Sequence, residues 1–159
     1  MIVSVVDTNV AIAANGRETH ADLQCQLECV ETLEAVCARQ VVAMDDRNFI
    51  FDEYREHLSF AGIPGVGDKF FKHVFDHMYG GSQVRLVSIT PCNDIGRGFE
   101  ELPINGLDPS DRKFLATALV ADADILNATD SDWSEQGDLT SKLGVTIRQL
   151  CPQHASRNS

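Results

Sequence analysis

The sequence predicts an α/β fold with a mainly parallel sheet and helices on both faces. Three observations carry this. Short apolar runs recur along the chain as strand candidates. Segments with helical periodicity stand between them, the pattern of βαβ units. The first run, Ile2–Val6, is almost continuously apolar and stops at Asp7, Thr8 and Asn9, as suits a strand buried on both faces of a parallel sheet.

Taken in order, Asp7 sits at the carboxyl end of that first strand, where open α/β sheets place their ligands. Thr8 or Asn9 is placed to cap a following helical turn, which Asn15-Gly16 breaks. From His20 to Arg39 the positions Leu23, Leu27, Val30, Leu33 and Cys37 recur at steps of three or four, which predicts an amphipathic helix. Val41–Met44 is a second strand. Asn48–Phe60 has helical spacing and carries Asp52, Glu53 and Glu56. Asp68 is read as the N-cap of a helix to Tyr79, with Phe70, Phe71, Val74, Phe75 and Met78 as its buried stripe, ended by Gly80-Gly81. Val84–Ile89 is a third strand, and Thr90–Leu107 a long irregular loop of a length that is often functional. Asp108-Pro109-Ser110-Asp111 opens a helix to about Val120. Ile125–Ala128 is a fourth strand, Ser134–Lys142 a short helix and Val145–Leu150 a last strand.

At 159 residues the chain is expected to form one domain over residues 1–151, followed by a polar tail over 152–159. No apolar run reaches the length of a membrane span. The first residues lack a basic leader, so no secretory signal is expected. The five cysteines, Cys25, Cys29, Cys37, Cys92 and Cys151, are odd in number, and a domain of this size needs no staples. They are read as small core residues in a reducing cytoplasm. The net charge of −11 excludes a general nucleic-acid coating protein but not an enzyme whose acids surround bound cations.

The acids fall into a pattern on this map. Asp7 ends the first strand, and Asp130 and Asp132 follow the fourth. Asp111 opens the helix leading into the fourth strand, and Glu53 lies on the helix after the second. All are expected at one edge of the sheet. Carboxylates crowded together repel unless protonated or neutralised by metal. An all-oxygen set suits Mg²⁺ or Mn²⁺ rather than zinc, and such ions activate water toward a phosphodiester. Arg112 and Lys113, beside Asp111, are the expected contacts to a substrate backbone, and a crevice at a sheet edge admits a single strand or loop more easily than a duplex.

The stretches VVDTNV at 5–10, FDEY at 51–54, DPSDRKFLATAL at 108–119 and ILNATDSDW at 125–133 resemble, in order, those of the PIN-domain family of metal-dependent nucleases. The resemblance implies a three-layer α/β/α sandwich around a parallel sheet of four or five strands. It implies RNA cleavage with Mg²⁺ or Mn²⁺, with Asp7, Glu53, Asp111 and Asp130 as catalytic and metal-holding acids and Asp132 as an additional ligand. Asn9 and Thr129 would support the site. It also implies a homodimer and, for a toxin component of a toxin–antitoxin system, a protein inhibitor of antitoxin type. The alternative is a catalytically weak PIN-like module that regulates through a protein partner.

Overall fold

The computed structural model describes residues 2–59 and 64–155. Five strands form a single sheet: β1 (Val3–Val6), β2 (Val41–Asp45), β3 (Val84–Val87), β4 (Asp124–Asn127) and β5 (Ile147–Gln149). Their order across the sheet is β3-β2-β1-β4-β5, and every pairing is parallel. The burial pattern explains the apolar runs. Within β1, β2 and β4, almost every side chain is enclosed, while β3 and β5 lie at the edges and are partly open. The chain runs one way from β1 through β2 to β3, then crosses back past β1 to β4 and continues in that direction to β5. With right-handed crossovers, connections running in opposite directions cover opposite faces. The result is the expected α/β/α sandwich.

Helices α1 (Thr8–Asn15), α2 (Leu23–Arg39) and α4 (Val66–His77) pack on one another, and α5 (Arg112–Ala121) packs across β1 to β4. Helix α3 (Phe49–His57) follows β2 and rests on α1 and α5. Short helices α6 (Asp132–Glu135), α7 (Gly137–Leu143) and α8 (Pro152–Ala155) complete the chain. The close approach of α1 and α4 depends on Gly67, where a Cβ would stand 2.0 Å from the Ala11 carbonyl oxygen.

Several expectations shift. In α2 the buried positions are Cys25, Cys29, Leu33 and Val36, while Leu23 and Leu27 are 70% and 54% exposed. The helix is rotated so that its cysteines face the core. Cys25 and Cys151 are joined in a disulfide with their Cα atoms 5.4 Å apart, across 126 positions of sequence. This corrects the reading of five free thiols, because nothing local in a sequence pairs cysteines so far apart. Asp68 is not the cap of α4 but lies in its first turn. Its carboxylate accepts from the backbone N–H groups of Gly65 and Ser59 and pairs with Arg17 at 2.8 Å. Phe75, expected inside, is 55% exposed. The predicted 134–142 helix is split between α6 and α7, and the start of the predicted tail forms α8. Phe60 and residues 156–159 lie outside the described residues. No helix among the described residues is long and apolar enough to cross a membrane.

Candidate metal centre

The sheet reverses its strand order between β1 and β4, and the carboxyl ends of these two strands frame a crevice of the kind that binds ligands in open α/β sheets. Asp7 enters it from β1. Its backbone N–H donates to the Leu126 carbonyl at 3.1 Å, which continues the β1–β4 ladder, and its side chain caps α1 through the Asn9 N–H. Asp130 enters from the turn after β4. Asp111 enters from the 3₁₀ turn Pro109–Asp111 that starts α5. One carboxylate oxygen from each of Asp7, Asp111 and Asp130 lies within 4.8 Å of the other two.

Asp7 is 5% exposed and Asp111 is 7% exposed, and among the described residues neither has a cationic partner. Burial and the neighbouring acids therefore decide their chemistry. Loss of hydration is the main force on Asp7. It is opposed by the Trp133 indole N–H, which donates to Oδ2 at 2.8 Å, and reinforced by Asp130 and Glu53. The net result pushes the pKa from an ordinary 3.8 up to about 7. Asp111 is raised by the same desolvation, then by Asp7 and Asp130, with the neighbouring carboxyls of Asp132 and Asp130 further favouring its protonated form. Three oxygen donors and an uncompensated charge fit a hard divalent cation, since oxygen ligands and negative charge are what Mg²⁺ and Mn²⁺ select.

The turn that carries Asp130 is built by two asparagines. Asn9 donates from Nδ2 to Asn127 Oδ1 at 2.9 Å, and its own Oδ1 accepts from the backbone N–H groups of Ala128 and Thr129. Asn127, fully buried, donates to the Asp130 carbonyl and to Gln149 Oε1, both at 2.8 Å, and accepts from the Asp130 N–H. The expected support from Asn9 is thus a clamp on the β4 turn, and Thr129 contributes its backbone N–H. Asp132 donates its N–H to Asp130 Oδ1 and accepts from the Asp108 N–H. It lines a cavity of about 300 Å³ with Asp108, Asp111, Asp130 and Glu135, beside the three clustered acids rather than within the set.

Glu53 stands apart from this group. Its Oε1 pairs with Lys113 Nζ at 2.8 Å, and its Oε2 accepts from the Thr8 hydroxyl. Lys113 also donates to the Ser110 carbonyl. Lys113 is therefore at the crevice, as expected, but already engaged with an acid. Arg112 does not fit its expected role as a substrate contact. It is 8% exposed, and its guanidinium turns away from the crevice. It donates to the carbonyls of Ile95, Gly96 and Asn105 and to Asn105 Oδ1, holding the 90–107 loop. Consecutive helical residues point about 100° apart, so adjacency to Asp111 says little about sharing its site. Trp133 and Asn127 carry no local sequence signal of their role. An indole immediately after the TDSD turn is the nearest thing to one.

The chain is thus an α/β sandwich with a cluster of acids at its topological switch point. No family model matches it, and no curated protein matches it. Among solved structures it is similar to VapBC2 from Rickettsia felis bound to a DNA fragment from their promoter. That comparison covers 93% of this chain and 98% of the other, with 10% identity and a TM-score of 0.48. A likeness at that level assigns nothing to this chain.

Proposed function

We propose that this protein is a metal-dependent endoribonuclease of the PIN type, with Mg²⁺ or Mn²⁺ held by Asp7, Asp111 and Asp130. The observation that carries this reading is the convergence of three carboxylates, uncompensated by any cation among the described residues, at the carboxyl ends of β1 and β4. A bound divalent ion supplies electrophilic assistance at the phosphoryl group and lowers the pKa of a water molecule. The protein's own groups have separate tasks. Trp133 fixes the rotamer of Asp7 through Oδ2. Asn9 and Asn127 set the turn that presents Asp130. Asp132, at the rim, is the candidate for orienting the attacking water or holding a second ion. The Glu53–Lys113 pair borders the crevice, and its ammonium is the candidate contact to a phosphate in place of Arg112.

The cytoplasmic setting, a homodimer and an antitoxin-type inhibitor belong to the same proposal and rest on the family resemblance. The test is Mn²⁺-dependent cleavage of single-stranded RNA by wild type and by Asp7→Asn. The reading expects cleavage by wild type and loss in the variant. Equal inertness of both across several RNAs, with the proteins folded, would overturn it in favour of a regulatory module.

A further inference from the structure

Arg112 buries a guanidinium to order an exposed loop, and what that loop presents identifies a second site. The segment 90–107 has no regular secondary structure, yet it is tightly built. Arg112 donates to three of its carbonyls. Arg97 donates to the carbonyls of Leu102 and Glu100 at 2.8 and 2.6 Å. Pro91 and Phe99 form an isolated antiparallel bridge. Gly98 turns the chain with a φ of +81°, and a Cβ there would stand 2.7 Å from Arg112 Cδ. The immediate product of this construction is the position of Phe99. Its ring meets that of Phe49, on the first turn of α3, edge to face with centroids 5.9 Å apart.

The two rings wall a cavity of about 400 Å³ whose other sides include Pro109, Ser110, Lys113 and Glu56. Phe49 is 36% exposed, and Glu56 is also exposed. Ser110 lines both this cavity and the acidic one that holds Asp111 and Asp130. The two compartments therefore adjoin, one acidic and oxygen-rich, the other aromatic. Resting on the nuclease reading above, we propose that the Phe49–Phe99 cavity is a nucleobase subsite that takes a guanine adjacent to the scissile phosphate of single-stranded RNA.

Aromatic rings beside a strand-binding crevice are stacking platforms for unpaired bases. The cavity falls in the size range of small-molecule sites. Its polar groups select the base. The cavity's ammonium, Lys113, is held by Glu53 and the Ser110 carbonyl at the side shared with the acidic compartment, and the carboxylates of Asp52, Glu53 and Glu56 are acceptors only. Glu56 has no ion pair among the described residues, whereas Asp52 is paired with Arg55 and Glu53 with Lys113. Guanine alone among the four bases offers two adjacent donors, N1–H and the N2 amino group, matching the two oxygens of one carboxylate. Adenine and cytosine place a ring acceptor beside their amino group, and uracil flanks its single N–H with two carbonyls. Each of those acceptors would meet the carboxylate unfavourably.

The test uses oligouridines carrying one guanosine, adenosine or cytidine, with Mn²⁺-dependent cleavage followed by mapping of the cut. Binding of the same oligomers is read separately from the emission of a Phe49→Trp variant, the native chain having one tryptophan, the buried Trp133. The proposal expects cutting beside the guanosine, with KM lower by about tenfold or more than for oligouridine, the scale of one stacked and paired base. Phe49→Ala and Phe99→Ala raise KM more than they lower kcat, Phe49→Trp retains the preference, and Glu56→Gln abolishes the discrimination between bases. Cleavage without base preference, unaltered by these variants, would overturn the subsite and leave the nuclease reading standing. Guanosine-dependent quenching of the Phe49→Trp emission without cleavage would uphold the subsite and defeat the nuclease reading. Quenching by an arginine-rich peptide but by none of the oligomers would overturn it in favour of a protein partner.

Discussion

The two sides of the crevice are both acidic, yet they are built on opposite principles. On the β1–β4 side, Asp7, Asp111 and Asp130 crowd together with no cation beside them among the described residues, held by an indole, two asparagine amides and the strand ends themselves. On the α3 side, Glu53 is neutralised by Lys113 and further held by Thr8. The first arrangement is unstable as an array of charges and becomes favourable only by taking up protons or a divalent ion. The second is complete as it stands. The difference teaches that the presence of an acid at a sheet edge does not define its role, whereas the lack of a compensating charge does.

The largest effect should come from the side without compensation. Asp7→Asn keeps the shape of the side chain while removing one of three charges, and Mn²⁺-dependent RNA cleavage should fall by about a thousandfold, the scale of several kcal/mol of charge stabilisation. A loss smaller than that from Glu53→Gln would mean that the acids divide differently.

The next effect concerns stability in the absence of metal. Asp7 ordinarily ionises near 3.8, and in the fold near 7. Between those values the folded state holds a proton that the unfolded chain has released, so stability is highest below about pH 4 in this respect and declines as pH rises to 7. Each unit of difference is worth about 1.4 kcal/mol, and the rise at Asp111 has the same sign. Thermal melting in EDTA should therefore show a melting temperature that falls by several degrees between pH 5 and pH 8. Mn²⁺ should restore it, more strongly at the higher pH. A metal-free protein that gained stability over this range would contradict the protonated cluster.

A smaller shift is expected from Trp133→Phe. The indole hydrogen bond is the main force lowering the Asp7 pKa. Its removal should move the pH midpoint of Mn²⁺ binding upward by about one unit or less, on the scale of one hydrogen bond to a charged group. Isothermal titration at several pH values would measure this, and an unchanged midpoint would remove Trp133 from the account. The smallest effect is assigned to the complete side. Glu53→Gln should weaken Mn²⁺ binding by less than about tenfold, or about 1.4 kcal/mol, because the charge of Glu53 is already engaged by Lys113.

Much of this contrast was legible before the structure, and the part that was not has a definite cause. A strand ending at Asp7 and a helix starting at Asp111 follow from local patterns, and parallel strands then bring their ends together. Asp130 follows for the same reason. The neutralisation of Glu53 was not legible, because Lys113 lies 60 positions away and the pairing depends on where α3 meets α5. Trp133 reaches Asp7 across 126 positions. Arg112 looked like a site residue by adjacency alone, but the helical rotation turns it to the 90–107 loop. In α2, Leu23 and Leu27 marked the wrong stripe, whereas Leu33 is buried as expected. Cysteine is as readily buried as leucine, and the Cys25–Cys151 bond fixes which face turns inward.

The uncompensated trio, and not the paired glutamate, is expected to hold the metal. Anomalous diffraction from a Mn²⁺-soaked crystal tests this most directly. The expected result is a peak coordinated by Asp7, Asp111 and Asp130, with the Glu53–Lys113 pair intact. A peak bound by Glu53 with Lys113 displaced, or no peak and the three carboxylates splayed apart, would contradict it.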